Sequence, residues 1–227
     1  SRLEREFGVR VVTGNPMVAY YETVISSAYG EHKFEKELGG KRQFGHVILH
    51  VSPSARGSGN SVEIKNVIAG MPAELEEAVK EGINDVLLTG VLARYPITDV
   101  TVRLEGGTYL EDLATAVAFR TAAIMALREA VIKASPELLE PVMSLEIITP
   151  EEYMGEILGD LNGRRGKVKE MTSKGSAKVI RAAVPLSELF GYSTAVRSLS
   201  RGRASYVMEP EQFEIVPKSI RENLLNR

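Results

Sequence analysis

The 227-residue chain contains no cysteine and no tryptophan, and only three histidines. Without thiols there can be neither a disulfide framework nor a thiolate metal site, which fits a reducing compartment and leads us to expect a cytoplasmic protein. No apolar run approaches membrane-spanning length, and no stretch has the pattern of a signal peptide, so no membrane partner is expected. There is no Gly-x-Ser-x-Gly elbow for a nucleophilic serine. The adjacent acids Glu76-Glu77 and Glu151-Glu152 sit where helices are expected, and neighbouring helical residues point about 100° apart, so neither pair can face one substrate. His46 and His50 at strand spacing could share a face as metal ligands, but no third ligand is spaced for them, and structural roles are expected.

What is present is 44% hydrophobic residues, enough for a real core, in a length that suits one large or two small domains; two are expected. The net charge of −2 conceals segregation, because residues 164–203 carry ten Lys or Arg against two acids, Glu170 and Glu188. Conversely, Glu74, Glu76, Glu77, Glu81 and Asp85 surround the single base Lys80. A basic region attracts nucleic acid, whereas an acidic helix ordinarily faces water.

The stretch Gly39-Gly40-Lys41-Arg42-Gln43-Phe44-Gly45-His46-Val47 is cationic, glycine-broken and flanked by strand-like runs. Its glycines permit positive φ and close backbone approach, and Lys41, Arg42 and Gln43 supply donors suited to phosphate oxygens. It reads either as a loop facing a polyanion or as a tight hairpin turn with solvated charges.

Leu3, Phe7 and Gly8 read as the tail of a helix whose domain lies elsewhere, so the chain is expected to be part of something longer. Val18 to Ile25 suggests a strand, and 32–38 is expected to pair with 44–51 across the glycines. Residues 52–60 read as a return and 61–68 as another strand. Pro72 opens a helix with Leu75, Ala78, Val79, Ile83, Val86 and Leu87 on one face, closed by Gly90. Residues 96–104 are strand-like and 105–108 read as a turn before a long helix to Lys133, with Phe119, Ala122, Ala123, Ala126, Leu127 and Ala130 as its core face.

Ser135-Pro136 and Glu140-Pro141 bracket an expected short linker. Beyond it the pattern is a strand over 143–148, a helix capped through Thr149-Pro150 with Tyr153, Met154, Ile157, Leu158 and Leu161 inward, strands over 168–171 and 177–184, a helical region over 185–201 broken by Gly191, and a strand over 204–208. That βαββαβ order is ferredoxin-like. Residues 218–226 form a terminal amphipathic helix or fray.

The stretch 39–47, together with Gly90-Val91-Leu92-Ala93-Arg94-Tyr95-Pro96, Leu138-Leu139-Glu140-Pro141 and the run from Thr149 through Tyr153, Gly155, Gly159, Arg164 and Arg165 to Gly166, resembles the C-terminal part of bacterial elongation factor G. Pro185 to Tyr192 and Leu199-Ser200-Arg201-Gly202-Arg203 extend the resemblance over nearly the whole chain. It implies an α+β chain. Residues 1–12 would end the family's domain III, and 13–136 would be its domain IV, similar to domain 2 of ribosomal protein S five with a left-handed βαβ crossover over 61–99. Residues 137–227 would be its ferredoxin-like domain V.

The resemblance further implies a partner, the ribosome, with ribosomal RNA and the tRNA and messenger RNA of the decoding region in reach during translocation. GTP and magnesium would belong to a domain that these residues do not include. No Gly-x-x-x-x-Gly-Lys-[Ser/Thr] loop occurs, so no cofactor and no enzymatic activity are expected of this polypeptide. In the family, two loops form the reaching tip, here the 39–45 hairpin and the 106–113 turn, and Lys41, Arg42, Gln43, Phe44, Tyr109 and Leu110 are their nucleic-acid candidates. Arg164, Arg165, Arg197, Arg201 and Arg203 are the candidates for RNA phosphate in domain V.

Two departures matter. Family members usually read Gly-Ser-Tyr-His at the second loop, where this chain has Gly107-Thr108-Tyr109-Leu110, with Leu113 and Ala116 replacing two family acids. The first loop has Lys41-Arg42 where the family reads Arg-Gly. A paralogue specialised for ribosome recycling or ribosomal protection is therefore the alternative within the family. A stand-alone ferredoxin-like module binding a regulatory ligand is the alternative outside it.

Overall fold

The computed structural model describes residues 18–226, so the helix tail expected around Leu3 and Phe7 lies outside the described residues. The chain divides into two compact units, one of Tyr21–Leu139 with 216–226 and the other of 18–20 with Glu140–Ile215. Among the described residues no helix is long and apolar enough to cross a membrane.

The larger unit opens with β1 (Tyr21–Val24) and a long hairpin of β2 (Ala28–Leu38) and β3 (Lys41–Pro53), in antiparallel register from Ala28↔Val51 to Leu38↔Lys41. Only Gly39 and Gly40 lie between the strands, at φ 58° and 78°. That is the two-residue turn whose twist matches the strands, and it needs glycine because both residues are left-handed. Of the two readings of this stretch, the backbone forms the tight hairpin turn, with Lys41 to Gly45 already inside β3.

The strand expected over 61–68 shortens to β4 (Ser61–Glu63), which runs parallel to β5 (Val100–Thr108). Ile64, Ile68 and Met71 bury their side chains from irregular backbone instead. Between these strands α1 (Ala73–Thr89) starts after Pro72 and buries Leu75, Ala78, Val79, Ile83, Val86 and Leu87, as its periodicity predicts. Gly90 ends it at φ 73°, its N–H donating to the Val86 carbonyl at 2.9 Å.

Residues 105–108 are not a turn. Ile48 pairs with Gly106 but Leu49 with Leu104, so Glu105 is the extra residue of a β-bulge and β5 continues to Thr108. Gly107 allows the continuation, since a Cβ there would lie 2.2 Å from the His46 carbonyl oxygen. After a turn, Thr115 caps α2 (Ala116–Lys133), its hydroxyl accepting from the Ala118 N–H at 3.1 Å. The face Phe119, Ala122, Ala123, Ala126, Leu127 and Ala130 is fully buried, as expected.

The expected linker at 135–141 is instead the start of a continuous strand, β6 (Pro136–Pro150), with Leu138 and Leu139 fully buried. Its first four residues pair antiparallel with β1. The prolines that read as punctuation are tolerated: Pro136 opens the strand and Pro141 falls outside the residues paired with β1 or β8, so neither missing N–H breaks those ladders.

In the second unit β6 is followed by a 3-10 turn (Glu151–Tyr153), α3 (Met154–Gly163), β7 (Lys167–Lys174), β8 (Ala177–Pro185), a second 3-10 turn (Leu186–Glu188), α4 (Tyr192–Leu199) and β9 (Ser205–Ile215). The strands lie in the order β9-β6-β8-β7, the ferredoxin-like arrangement. Met143, Leu145, Ile147, Ile157, Leu161, Ile180, Ala182, Val184, Tyr192 and Val196 form its core. Thr149 does not cap α3, because its hydroxyl turns to the Pro150 carbonyl at 3.1 Å and the 3-10 turn intervenes. The last helix, α5 (Lys218–Leu225), belongs to the larger unit, where Arg221 donates to Glu137 at 2.9 Å.

Candidate nucleic-acid interface

In the larger unit the fold brings the two candidate loops together. The Phe44 N–H donates to the Leu113 carbonyl at 2.9 Å, Phe44 bridges to Ala114, and the Thr115 hydroxyl donates to Gln43 Oε1 at 2.8 Å. Leu113 and Ala114 in turn donate to the Leu110 carbonyl at 3.0 and 2.8 Å, which closes the second loop on itself.

The candidates divide by exposure. Phe44 is only 6% exposed, so it anchors the hairpin and presents no stacking face to a base. Tyr109 is half-buried against the hydrophobic core. Gln43 is half-buried, and its Oε1 accepts from the Thr115 hydroxyl. Lys41 and Arg42 are exposed, and Arg42 pairs with Glu35. Leu110 is 41% exposed where the turn begins, with Glu111 and Asp112 at its centre. The acids Glu35, Glu37, Glu111 and Asp112 are exposed alongside Lys41 and Arg42, so the tip carries interleaved charge and not a bare cationic cluster.

His46 has a hydrogen-bond partner on each ring nitrogen. It is held between the Thr108 hydroxyl at 2.9 Å on Nδ1 and Glu31 at 2.6 Å on Nε2, while His50 stacks against Tyr29 with ring centroids 4.6 Å apart. Among the described residues no cluster of three potential ligands occurs.

In the second unit the basic stretch separates into paired and free cations. Arg164 donates to Asp160 at 2.9 Å and to the Glu188 carbonyl at 2.6 Å, and lies over the Tyr192 ring at 5.0 Å. Arg165 grips buried Glu140 in a fork at 2.7 and 3.1 Å and reaches Glu188 at 3.1 Å, contacts that raise its pKa above the ordinary arginine value. Both guanidinium groups are therefore engaged by acceptors of their own fold, while each side chain keeps about a fifth to a quarter of its surface exposed. Arg203 is exposed but donates to Glu152 at 2.8 Å. Arg197 and Arg201 are exposed with no side-chain partner among the described residues.

Sequence reasoning weighted arginines and overlooked Lys167, Lys169 and Lys174. These lie on β7, every residue of which is exposed, and none of their ammonium groups finds a partner among the described residues. The signal was available as alternating lysine in a run ending at a glycine turn, but a strand covered on neither side is legible only once its neighbours are placed.

Tyr192 in α4 packs edge-on against Tyr206 at 5.1 Å, and its buried hydroxyl finds no hydrogen-bond partner among the described residues. Burial, followed by the nearby charge of Asp160, pushes its pKa up to about 12. The unfolded tyrosine ionises near about 10, so between these values the unfolded chain sheds a proton that the native chain keeps. Stability is fully present below the lower value and falls as pH rises through the upper one. Tyr192→Phe is expected to be as stable as the parent at neutral pH, or up to about 1 kcal/mol more stable, and to lose less stability on alkaline titration. Urea unfolding at a series of pH values checks this, and parallel alkaline curves for both proteins would contradict it.

Residues 16–135 match the family model described as elongation factor G, domain IV, and residues 137–224 match that described as elongation factor G C-terminus. Elongation factor G of Thermotoga maritima is 48% identical over 226 residues, 99% of this chain and 33% of that protein. That of Thermotoga neapolitana is 46% identical over the same share of this chain and 32% of its own length. A crystal structure of a Thermus thermophilus protein aligns with a TM-score of 0.79 at 33% identity, covering 93% of this chain and 32% of that one. The chain thus spans about a third of the length of the curated relatives it matches.

Proposed function

This chain belongs to the elongation factor G family, and from that premise we propose that it is the ribosome-contacting portion of a translation elongation factor. The larger unit carries a rigid hairpin toward the tRNA and messenger RNA of the decoding region, and the second unit rests on ribosomal RNA. The observation that carries the reading is the set of exposed cations without a partner among the described residues, Lys167, Lys169, Lys174, Arg197 and Arg201. Fixed cations without internal partners attract a phosphate backbone by releasing its counterions.

Such binding weakens with salt. The 227-residue chain is expected to bind purified ribosomes with an affinity that falls roughly tenfold or more between about 50 and 200 mM monovalent salt. Filter binding across a salt series measures it, and an affinity indifferent to salt would sink the electrostatic account.

Leu110 favours a second reading, a family member specialised for a step other than rapid translocation. Its side chain stands exposed where the second tip loop begins its turn, and it can neither donate a hydrogen bond to a nucleotide nor carry charge. In the longer protein, Leu110→His is expected to speed translocation measured by rapid mixing. Equal rates for variant and parent would remove the basis for this second reading.

A further inference from the structure

Along β5 one extra residue decides which side chains face which way where the chain leaves the sheet for its second loop. Leu104 pairs with Leu49 but Gly106 with Ile48, so Thr108 stands opposite His46. Without the bulge at Glu105 that place would fall to Gly107, which has no side chain to offer. Alternation then turns the next residue, Tyr109, to the hydrophobic core beside Gly70 and leaves Leu110 exposed.

The partner that the bulge gives Thr108 is a buried one. His46 is 9% exposed, with Nδ1 2.9 Å from the Thr108 hydroxyl on β5 and Nε2 2.6 Å from a Glu31 carboxylate oxygen on β2. A carboxylate only accepts, so Nε2 donates to it, and the hydroxyl, which can donate or accept, serves Nδ1. One imidazole on the middle strand thus ties β2, β3 and β5 together at the level where β5 ends.

The two ends of the second loop are held by different means. Its return is fixed through the backbone, by the Phe44 N–H on the Leu113 carbonyl and by the Leu113 and Ala114 N–H groups on the Leu110 carbonyl. Its exit is fixed by a side chain, because Thr108 is the last residue of β5 in register with β3 and its hydroxyl lies on His46.

We infer that His46 is a positioning residue, which acts through Thr108 to set the direction in which the chain enters 109–113 and so where Leu110, Glu111 and Asp112 are presented. Resting on the ribosome-contacting reading, this role deepens it. A loop aimed in advance by the sheet meets its target without first losing conformational freedom.

Because the sequence has no cysteine, spin labels can be placed at chosen sites. Labels at Lys41→Cys and Leu110→Cys report, by pulsed electron paramagnetic resonance on the 227-residue chain, the spread of distances between the two loops. Thr108→Val keeps the side-chain shape and removes the hydroxyl, and it is expected to widen that spread roughly twofold. Thr108→Ser keeps the hydroxyl and is expected to restore the parent's width. His46→Ala is expected to widen it as Thr108→Val does, and the two together no further, since both break the same bond. In the unlabelled chain, Thr108→Val is expected to weaken filter binding to purified ribosomes by roughly two- to fivefold, and Thr108→Ser to recover it.

Equal widths for Thr108→Val and the parent overturn the inference and leave the ribosome-contacting reading standing. So does a Thr108→Ser variant as wide as Thr108→Val, which would assign the effect to the methyl group. A widened spread with unchanged ribosome affinity also overturns it, reducing His46 to a structural tie. A parent chain that does not bind ribosomes overturns the reading on which the role rests, whatever the widths.

Discussion

Glu22→Ala is expected to destabilise the larger unit by about 4 kcal/mol, read as a lowered urea midpoint for its unfolding. Glu22 lies on β1 with no exposed surface, yet it is not an isolated buried charge. One carboxylate oxygen accepts from the Val91 and Leu92 N–H groups at 2.8 and 2.7 Å, and the other from Ala93 and Tyr95 at 2.9 and 3.0 Å. The four amides converge because the chain, having left α1 at Gly90, wraps round the carboxylate before Pro96. The Glu22 main chain completes the clamp, its N–H donating to the Pro96 carbonyl and its carbonyl accepting from Thr98, both at 2.8 Å.

Gly90 is part of the same device, since a Cβ there would lie 2.4 Å from a Glu22 carboxylate oxygen. Removing the carboxylate leaves four part-buried amide donors without this acceptor, each costing on the order of 1 kcal/mol. Glu22→Gln is expected to fare little better, because the new amide nitrogen must point a donor at two donors. A loss below about 1 kcal/mol in the alanine variant would show that the loop holds its shape without the carboxylate.

Gly30→Ala is expected to cost about 3 kcal/mol or more, or to prevent folding of the larger unit. A Cβ at position 30 would sit 1.8 Å from the Ala126 carbonyl oxygen and 2.7 Å from the Ala130 nitrogen, both backbone atoms of α2 that no rotamer change can move. Gly45, on the neighbouring strand, meets the α2 backbone in the same way, with Ala118 carbonyl atoms at 2.7 and 2.8 Å. The helix lies this close because its inward face is alanine, and the close approach sets the two strands that carry the hairpin at a fixed distance from α2. Circular dichroism melts of Gly30→Ala and Gly45→Ala measure the effect. Native-like melts for both would mean that α2 can stand off the sheet with little loss of stability.

Both residues show how much of the molecule could be read along the chain. The periodicity of Leu75, Val79, Ile83 and Val86 identified α1, the paired glycines at 39 and 40 marked the hairpin turn, and the βαββαβ order gave the fold of the second unit. Each signal is local, set by a helical or strand period or by the φ a turn demands. The motif Gly90 to Pro96 was visible as a string of residues, but its partner Glu22 lies about 70 positions away, so nothing local reveals that the loop is built round a carboxylate. Gly45 was noted for its capacity for close approach, and the backbone it approaches emerged only with α2 in place.

The candidate interface divides in the same manner. The excess of Lys and Arg over 164–203 is a property of the sequence, and so is the family to which the chain belongs. The tertiary structure alone decided which of those charges are paired, because a guanidinium is neutralised by whatever acid the fold sets beside it. Glu140 and Glu188 reach Arg165 from 25 and 23 positions away and claim it. Arg201 meets no such acid among the described residues.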